Sequence, residues 1–194
     1  MTRILLAIPC FSLLDPKCVK SFYKIRVPEG FQLTIDYITG YGAAQARNKA
    51  ANQAIDQNYD YLFFIDSDQI APEDTLEKLL NCNTEISAGW AMQAINDPRT
   101  NISKFIAEKQ FYDFYRISEI PNGIFNADAV GMACVLIKTE VFEKLKYPYF
   151  VYTEYEHKGI LSEDLYFCMK AKEAGFKILC DTSLRLPHLK SLAI

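Results

Sequence analysis

The run YLFFI at Tyr61–Ile65 constrains this chain most. A strand with one wet face alternates apolar and polar residues, whereas this run is apolar on both faces. Such a strand must be covered from both sides, as in a sheet sandwiched between layers. It is followed at once by Asp66 and Asp68, and acids do not continue a buried strand. The buried strand therefore ends in the open, on a carboxylate pair.

The neighbouring runs fit the same architecture. Arg3 to Ile8 is a short apolar run closed by Pro9, and Phe31 to Ile38 alternates weakly before Gly40 and Gly42. Ala43 to Gln57 is Ala-rich without Pro or Gly, which predicts a helix. Pro72 to Leu80 begins with Pro and carries acids early and Lys78 late, a second helix. Ile86 to Met92 reads as strand and Asn96 to Thr100 as a loop. Phe105 to Ile117 is aromatic-rich, with a hairpin as one reading. Ala129 to Ile137 reads as one buried strand, followed by a short helix, Glu140 to Leu145. Tyr147 to Gly159 is a Pro-, Tyr- and Glu-rich loop. Glu163 to Ala174 is a helix stopped by Gly175, and Lys177–Leu179 and Leu184–Leu186 are two short strands. Strand and helix alternate, which predicts a three-layer α/β/α domain with a mainly parallel central sheet. Roughly 96–128 is expected to be irregular.

With 194 residues, half of them hydrophobic, the chain has enough apolar material for one core. Its net charge is −3 with no basic stripe, so nucleic acid is not an expected partner. No apolar run approaches the ~18 residues that span a bilayer. The N-terminal MTRILLAIPC is too short for a secretory apolar region and lacks a cleavage site, so it reads as mature structure. None of the six Cys forms a CxxC pair and there are only two His, which argues against zinc. The cysteines read as small buried hydrophobes in a reducing, cytosolic compartment, with no disulfides.

The acids are the candidate chemistry. In open α/β sheets ligands bind beyond the carboxyl ends of strands, where Asp66 and Asp68 emerge. Two hard carboxylates there favour Mg²⁺ or Mn²⁺ bridging phosphates; the alternative is a helix cap or an Arg partner. Glu163 and Asp164 follow Ser162. Either they serve the dipole of the helix that Ser162 caps, or one of them faces the site as a general base. Arg47 has a phosphate or an acid as its plausible partner. His188 follows Pro187, and its local reading is a surface or hydrogen-bonded His. His157 is given no role.

In order along the chain, QARNKAANQAIDQNYDYLFFIDSDQIAPEDTLEKLL, ISAGW, NADAVGMACVLIKTEVFEKL and SEDLYFCMKAKEAGFKILCDTSLRLPH resemble a GT-A glycosyltransferase domain. The resemblance covers nearly the whole chain and is to small, family-2-like enzymes of bacterial, phage or algal-virus type. DxD alone is a weak signal; the ordered set is strong. It implies a nucleotide-diphospho-sugar transferase fold over 1–194, with a nucleotide-binding half at about 1–95 and an acceptor-side half at about 96–194.

The resemblance also implies roles. Asp68 would bind the metal, Mn²⁺ or Mg²⁺; Asp66 would contact ribose or the metal through water; His188 would be a further ligand. Asp164 would be the base of an inverting transfer, with Glu163 orienting acceptor or base. Ala7 and Pro9 would line the nucleotide, Asp36 would read its base, and Arg47 would lie near it or support the DxD. Gly131 and Met132 would let the donor sugar approach the backbone. Trp90 would stack on a sugar, with a core position as the alternative. A nucleoside diphosphate gains charge as it leaves, which a divalent cation offsets, and an acceptor hydroxyl needs a carboxylate to take its proton. The implied function is metal-dependent transfer of a sugar, from a UDP-hexose donor, to a glycan or other hydroxyl acceptor.

Two departures stand out. IDYITGYG replaces the acidic pair that the family carries near the end of its second strand. The chain also ends six residues after His188, without an acceptor-shaping extension. Either the middle and the 147–160 loop hold the acceptor, or this is one domain of a longer protein. Among other classes, a haloacid-dehalogenase-like phosphohydrolase also opens on an apolar run and DxD, but after its first strand. A nucleotidyltransferase would need a Gly-rich run after strand one, and a carbohydrate-binding module would not need this acid set.

Overall fold

In chain order the elements are β1 (Thr2–Cys10), α1 (Pro16–Phe22), β2 (Phe31–Thr39), α2 (Ala43–Asp56), β3 (Tyr61–Ile65), α3 (Thr75–Asn81), β4 (Ile86–Ala94), β5 (Asp97–Ile106), β6 (Phe111–Arg116), β7 (Ile124–Asn126), β8 (Ala129–Val130), β9 (Cys134–Lys138), α4 (Glu140–Lys144), β10 (Thr153–Glu154), β11 (Ile160–Leu161), α5 (Glu163–Glu173) and β12 (Ile178–Leu186). This computed structural model describes residues 1–11, 13–94, 97–154 and 159–189. His157 and Asn96 lie outside the described residues.

The central sheet has the order β2-β1-β3-β9-β4-β12-β7. β2, β1 and β3 are parallel neighbours, as are β4 and β12, while β9 and β7 run against them. The expected mainly parallel sheet is present, with β9 as the reversed strand at its centre.

Period-2 alternation divides the core in two. Leu62 and Phe64 of β3 and Leu5 and Ala7 of β1 pack with α2, α4 and α5. Phe63, Ile65, Ile4, Leu6 and Ile8 face the other way, onto Cys18 and Phe22 of α1 and Leu76 and Leu79 of α3. A helical layer therefore lies on each face, as YLFFI requires. Each buried Phe or Leu in these layers contributes about 2 kcal/mol. Ala46, Ala50, Ala51 and Ala54 let α2 approach the sheet closely.

Several elements differ from the sequence expectations. Pro9 does not close β1; it pairs with Ile38, and the strand runs on to Cys10. α1 was not anticipated, although the Asp15 side chain accepts from Lys17 N and Pro16 opens the helix. α3 starts at Thr75, because Pro72 and its neighbours form a turn, with Thr75 N donating to Pro72 O. The expected loop at 96–100 is strand from Asp97 onward, and β5 pairs with β4, β6 and β8. The expected irregular middle is largely this β5–β6 hairpin with β7. Ala129–Ile137 is two strands, β8 and β9, broken at Gly131. The two short strands near the end are one, β12, with a register break between Cys180 and Arg185.

Candidate active site

The carboxyl ends of β1, β3 and β4, the start of α5 and the end of β12 meet on one side of the sheet. Arg47 is the centre of this region. It stands on the first turns of α2, is 4% exposed, and turns into the protein. Its Nη1 donates to Glu163 Oε1 at 2.7 Å and its Nη2 to Asp66 Oδ1 at 3.0 Å. Its Nε lies 3.4 Å from Asp164 Oδ1. One guanidinium thus faces three carboxylates from two distant segments. Burial alone would lower the Arg47 pKa, but Asp164, Asp66 and Glu163 together raise it.

Three acids on one cation leave an excess of negative charge. Burial raises the Asp66 carboxyl, with Asp68 and Glu163 adding to it and Arg47 opposing. Burial, then Glu163 and Asp66, push Asp164 up to about 7 against the pull of Arg47 and of the Met132 N–H. Asp164 Oδ2 accepts from Met132 N at 3.1 Å. Its Oδ1 is buried and has no hydrogen-bond partner among the described residues. A carboxyl held near neutrality beside an unmet acceptor atom can take a proton at physiological pH. The Ser162 cap predicted for α5 is present, its side chain accepting from Leu165 N, so the cap and the inward turn of both acids coexist.

Asp68 meets His188 instead of Arg47. His188 Nδ1–H donates to Met92 O at 3.0 Å, and Nε2 stands 2.7 Å from Asp68 Oδ2. The approach is made by the chain beyond β12, which crosses the DxD loop. Ile70 N donates to Pro187 O and Leu189 N to Asp68 O, which sets Gln69 and His188 opposite each other as an antiparallel backbone pair. The Met92 carbonyl can only accept, so it fixes the imidazole and leaves Nε2 directed at the carboxylate. An imidazole nitrogen and a carboxylate oxygen facing each other fit a shared cation. Among the described residues no three His, Cys, Asp or Glu side chains form a metal cage. Of the expected trio, Asp68 and His188 face each other directly, while Asp66, near enough to feel the charges of both, pairs with the buried guanidinium. Two protein ligands suit Mg²⁺ or Mn²⁺, which keep waters and phosphate oxygens for the rest of the shell.

The other expected residues are placed as follows. Ala7 is fully buried and Pro9 is buried too, so the Ala7 side chain packs in the core and lines no open surface. Asp36 sits beside Ala7 on β2 and accepts from Gln53 Nε2 at 2.8 Å. Gly131 is clamped by Asn101, its N–H donating to Asn101 O and its carbonyl accepting from Asn101 Nδ2. A Cβ there would stand 3.2 Å from Asn101 Cβ and 3.5 Å from Asp164 Oδ2, so this glycine permits a close approach. The Met132 side chain is core, and only its N–H reaches the site. Trp90 is 6% exposed, donates to Thr182 O and carries Arg185 over its ring. No ring face is left for a sugar, and the core alternative holds.

Three residues of this region were not singled out in the sequence. Asn48, next to Arg47, holds the backbone of Tyr149 and Phe150 through both ends of its amide. Asn101 places Gly131. The Tyr152 hydroxyl hydrogen-bonds Glu163, and burial followed by Glu163 raises its pKa to about 12. The ARN run was a signal for Asn48; nothing local marked the other two.

The sequence pattern of the family described as Glycosyl transferase family 2 matches residues 21–145. Among solved structures, A197 from STIV is similar, with 22% identity and a TM-score of 0.62 over 98% of this chain and 87% of that one. GalNAc-T7, solved with UDP, GalNAc and Mn²⁺, is similar at 11% identity and a TM-score of 0.68, over 99% of this chain. This chain spans 44% of GalNAc-T7. At these identities the likeness shows the shared fold, the three-layer GT-A arrangement. No curated protein sequence matches the chain. Among the described residues no helix is long and apolar enough to cross a membrane.

Proposed function

Because the chain belongs to glycosyl transferase family 2, we propose that it transfers a hexose from a UDP-linked donor to a hydroxyl of a glycan or other acceptor, with inversion and with Mn²⁺ or Mg²⁺. The haloacid-dehalogenase alternative falls with that membership. The observation that carries the reading is the placement of two separate acid sets around Arg47. Asp66 adjoins Asp68 and His188 on one side, and Glu163 and Asp164 lie on the other.

Asp68 and His188 are the residues that would hold the cation, with Asp66 kept beside them by Arg47. When bound, the cation offsets charge on the departing diphosphate. Asp164 accepts the proton of the acceptor hydroxyl as that oxygen bonds to the sugar's anomeric carbon. The bond from that carbon to the diphosphate breaks, and its electron pair leaves with the nucleoside diphosphate. Glu163 holds Arg47 and Tyr152 and so fixes the setting of the base. Gly131, lacking a side chain, would let the donor sugar approach the backbone at Gly131 and Met132, while the Met132 N–H stays on Asp164. Asp36 and the β1 end at Pro9 lie on the base side of the donor. On this reading 1–194 is one catalytic domain, with the nucleotide-binding half at about 1–95 and the acceptor-side half at about 96–194, from which His188, Gly131 and Met132 reach back to the donor. Six buried, unpaired thiols accord with a reducing, cytosolic setting.

Calorimetry with UDP and Mn²⁺ tests the reading. Binding that requires the metal and is lost in Asp68→Ala supports it. If no nucleoside diphosphate binds with Mn²⁺ present, the donor proposal is wrong. NMR of the product anomer tests inversion, and a retained anomer refutes it.

A further inference from the structure

The outer face of α2, turned away from Arg47, borders a groove of about 690 Å³ walled by Tyr41 and Tyr147. Its floor is unusual in chemistry. Gln45, Asn52, Gln53 and Gln57 line it with primary amides, and the only charges are Lys49 and Asp56, which cancel. Lys49 is already engaged, its ammonium 4.6 Å from the centre of the Tyr41 ring. The side-chain amides of Gln45, Asn52 and Gln57 have no hydrogen-bond partner among the described residues.

The walls are braced. Tyr147 is 55% exposed, yet its ring stands edge-on to Tyr149 at 5.5 Å, and Tyr149 packs on Phe142 at 5.1 Å. The backbone of Tyr149 and Phe150 is pinned by Asn48 from within α2. A surface tyrosine seen only by water needs no such support. We infer that this groove binds a neutral oligosaccharide, lying along α2 with a sugar ring on the exposed face of Tyr147. Primary amides offer a donor and an acceptor in one plane, which matches adjacent sugar hydroxyls, and aromatic faces take the apolar face of a pyranose. The near-zero local charge disfavours a nucleotide or an acidic glycan. The volume falls in the ~300–1,000 Å³ range of ligand pockets, room for more than one sugar ring. The groove is separate from the carboxylate cluster on the inner face of the same helix, so it would hold the body of a glycan and not its reacting end.

The test is an NMR titration of the ¹⁵N-labelled full chain with maltohexaose, cellohexaose and chitohexaose, without donor or metal. The inference expects at least one of them to shift the side-chain amide signals of Gln45, Asn52 and Gln57. In Tyr147→Ala, and separately in Gln45→Ala, affinity should fall about tenfold while the metal-dependent binding of UDP is unchanged. Absence of any shift at these amides up to about 10 mM sugar, or shifts that survive unaltered in both variants, overturns the groove. Because no donor is present, failure here leaves the UDP proposal standing, and loss of UDP binding leaves the groove standing.

Discussion

At the scale of residues, Arg47 stabilises the fold and sets the ionisation of its partners at once. It is almost fully buried against Asp66, Glu163 and Asp164. Removing one member of a buried charge cluster leaves the others uncompensated, at about 3–5 kcal/mol. Arg47→Met should lower unfolding stability in urea by that order, and a loss under about 1 kcal/mol would show that the acids neutralise themselves. Asp164 gives a prediction with a sign. Burial pushes its carboxyl up to about 7 in the folded chain, from ~3.9 when unfolded. Between these values the native state binds the extra proton, so this group's contribution to stability falls as pH rises through that window. On the proposed reading the rate runs the other way, since only the ionised form accepts a proton. Turnover should climb up to about pH 7 and then level, and Asp164→Asn should lose about 10²–10⁴-fold in turnover while keeping UDP binding. Unfolding midpoints from pH 4 to 8 should fall less steeply in Asp164→Asn than in the parent chain. Identical slopes would place the titration elsewhere.

At the scale of elements, the site depends on how β12 lies against β4. A Cβ on Gly89 would come within 2.7 Å of Leu184 Cγ and 2.9 Å of the Leu184 carbonyl oxygen, so only glycine lets the strands lie this close. Gly89→Ala should therefore cost about 1–3 kcal/mol. Because β12 leads directly to His188, the same change should weaken Mn²⁺-dependent UDP binding, whereas a loss of stability alone would separate strand packing from the site. The break in register between Cys180 and Arg185 is the feature no local pattern announces. Lys177–Leu179 and Leu184–Leu186 look like two strands because the bulge hides their continuity. β5 was misread for a related reason: Asp97-Pro98-Arg99 has turn chemistry, but pairing with β4, β6 and β8 outweighs it. By contrast β3, α2 and the start of α5 are legible because burial on both faces, an alanine stripe and a serine cap are local properties. Within the site, sequence alone could mark Asp66, Asp68, Arg47, Glu163, Asp164 and His188 as types. It could not show that Asp66 pairs with Arg47 while Asp68 pairs with His188, since Arg47 is also tied to Glu163, 116 positions away, and His188 lies 120 positions from Asp68.

At the scale of the whole molecule, the sheet brings the two ends of the chain's chemistry together. β3 delivers Asp68, and β12, three strands away beyond β9 and β4, delivers His188 to it. A ligand that joins them ties together segments that separate on unfolding, so its binding energy adds to global stability. With Mn²⁺ and UDP at about 100 times their dissociation constant the gain is about 2.7 kcal/mol. For a chain of this length each kcal/mol moves the melting temperature by about 2–4 °C, so the shift should be about 5–10 °C. UDP without metal should give much less. His188→Ala should lose most of the Mn²⁺-dependent part, while retaining its own two-state melt because the imidazole stands at the rim of the site and outside the two core clusters. An undiminished Mn²⁺-dependent shift in His188→Ala would remove His188 from the metal site and leave its bond to Asp68 as a structural clasp between the DxD loop and the end of the sheet.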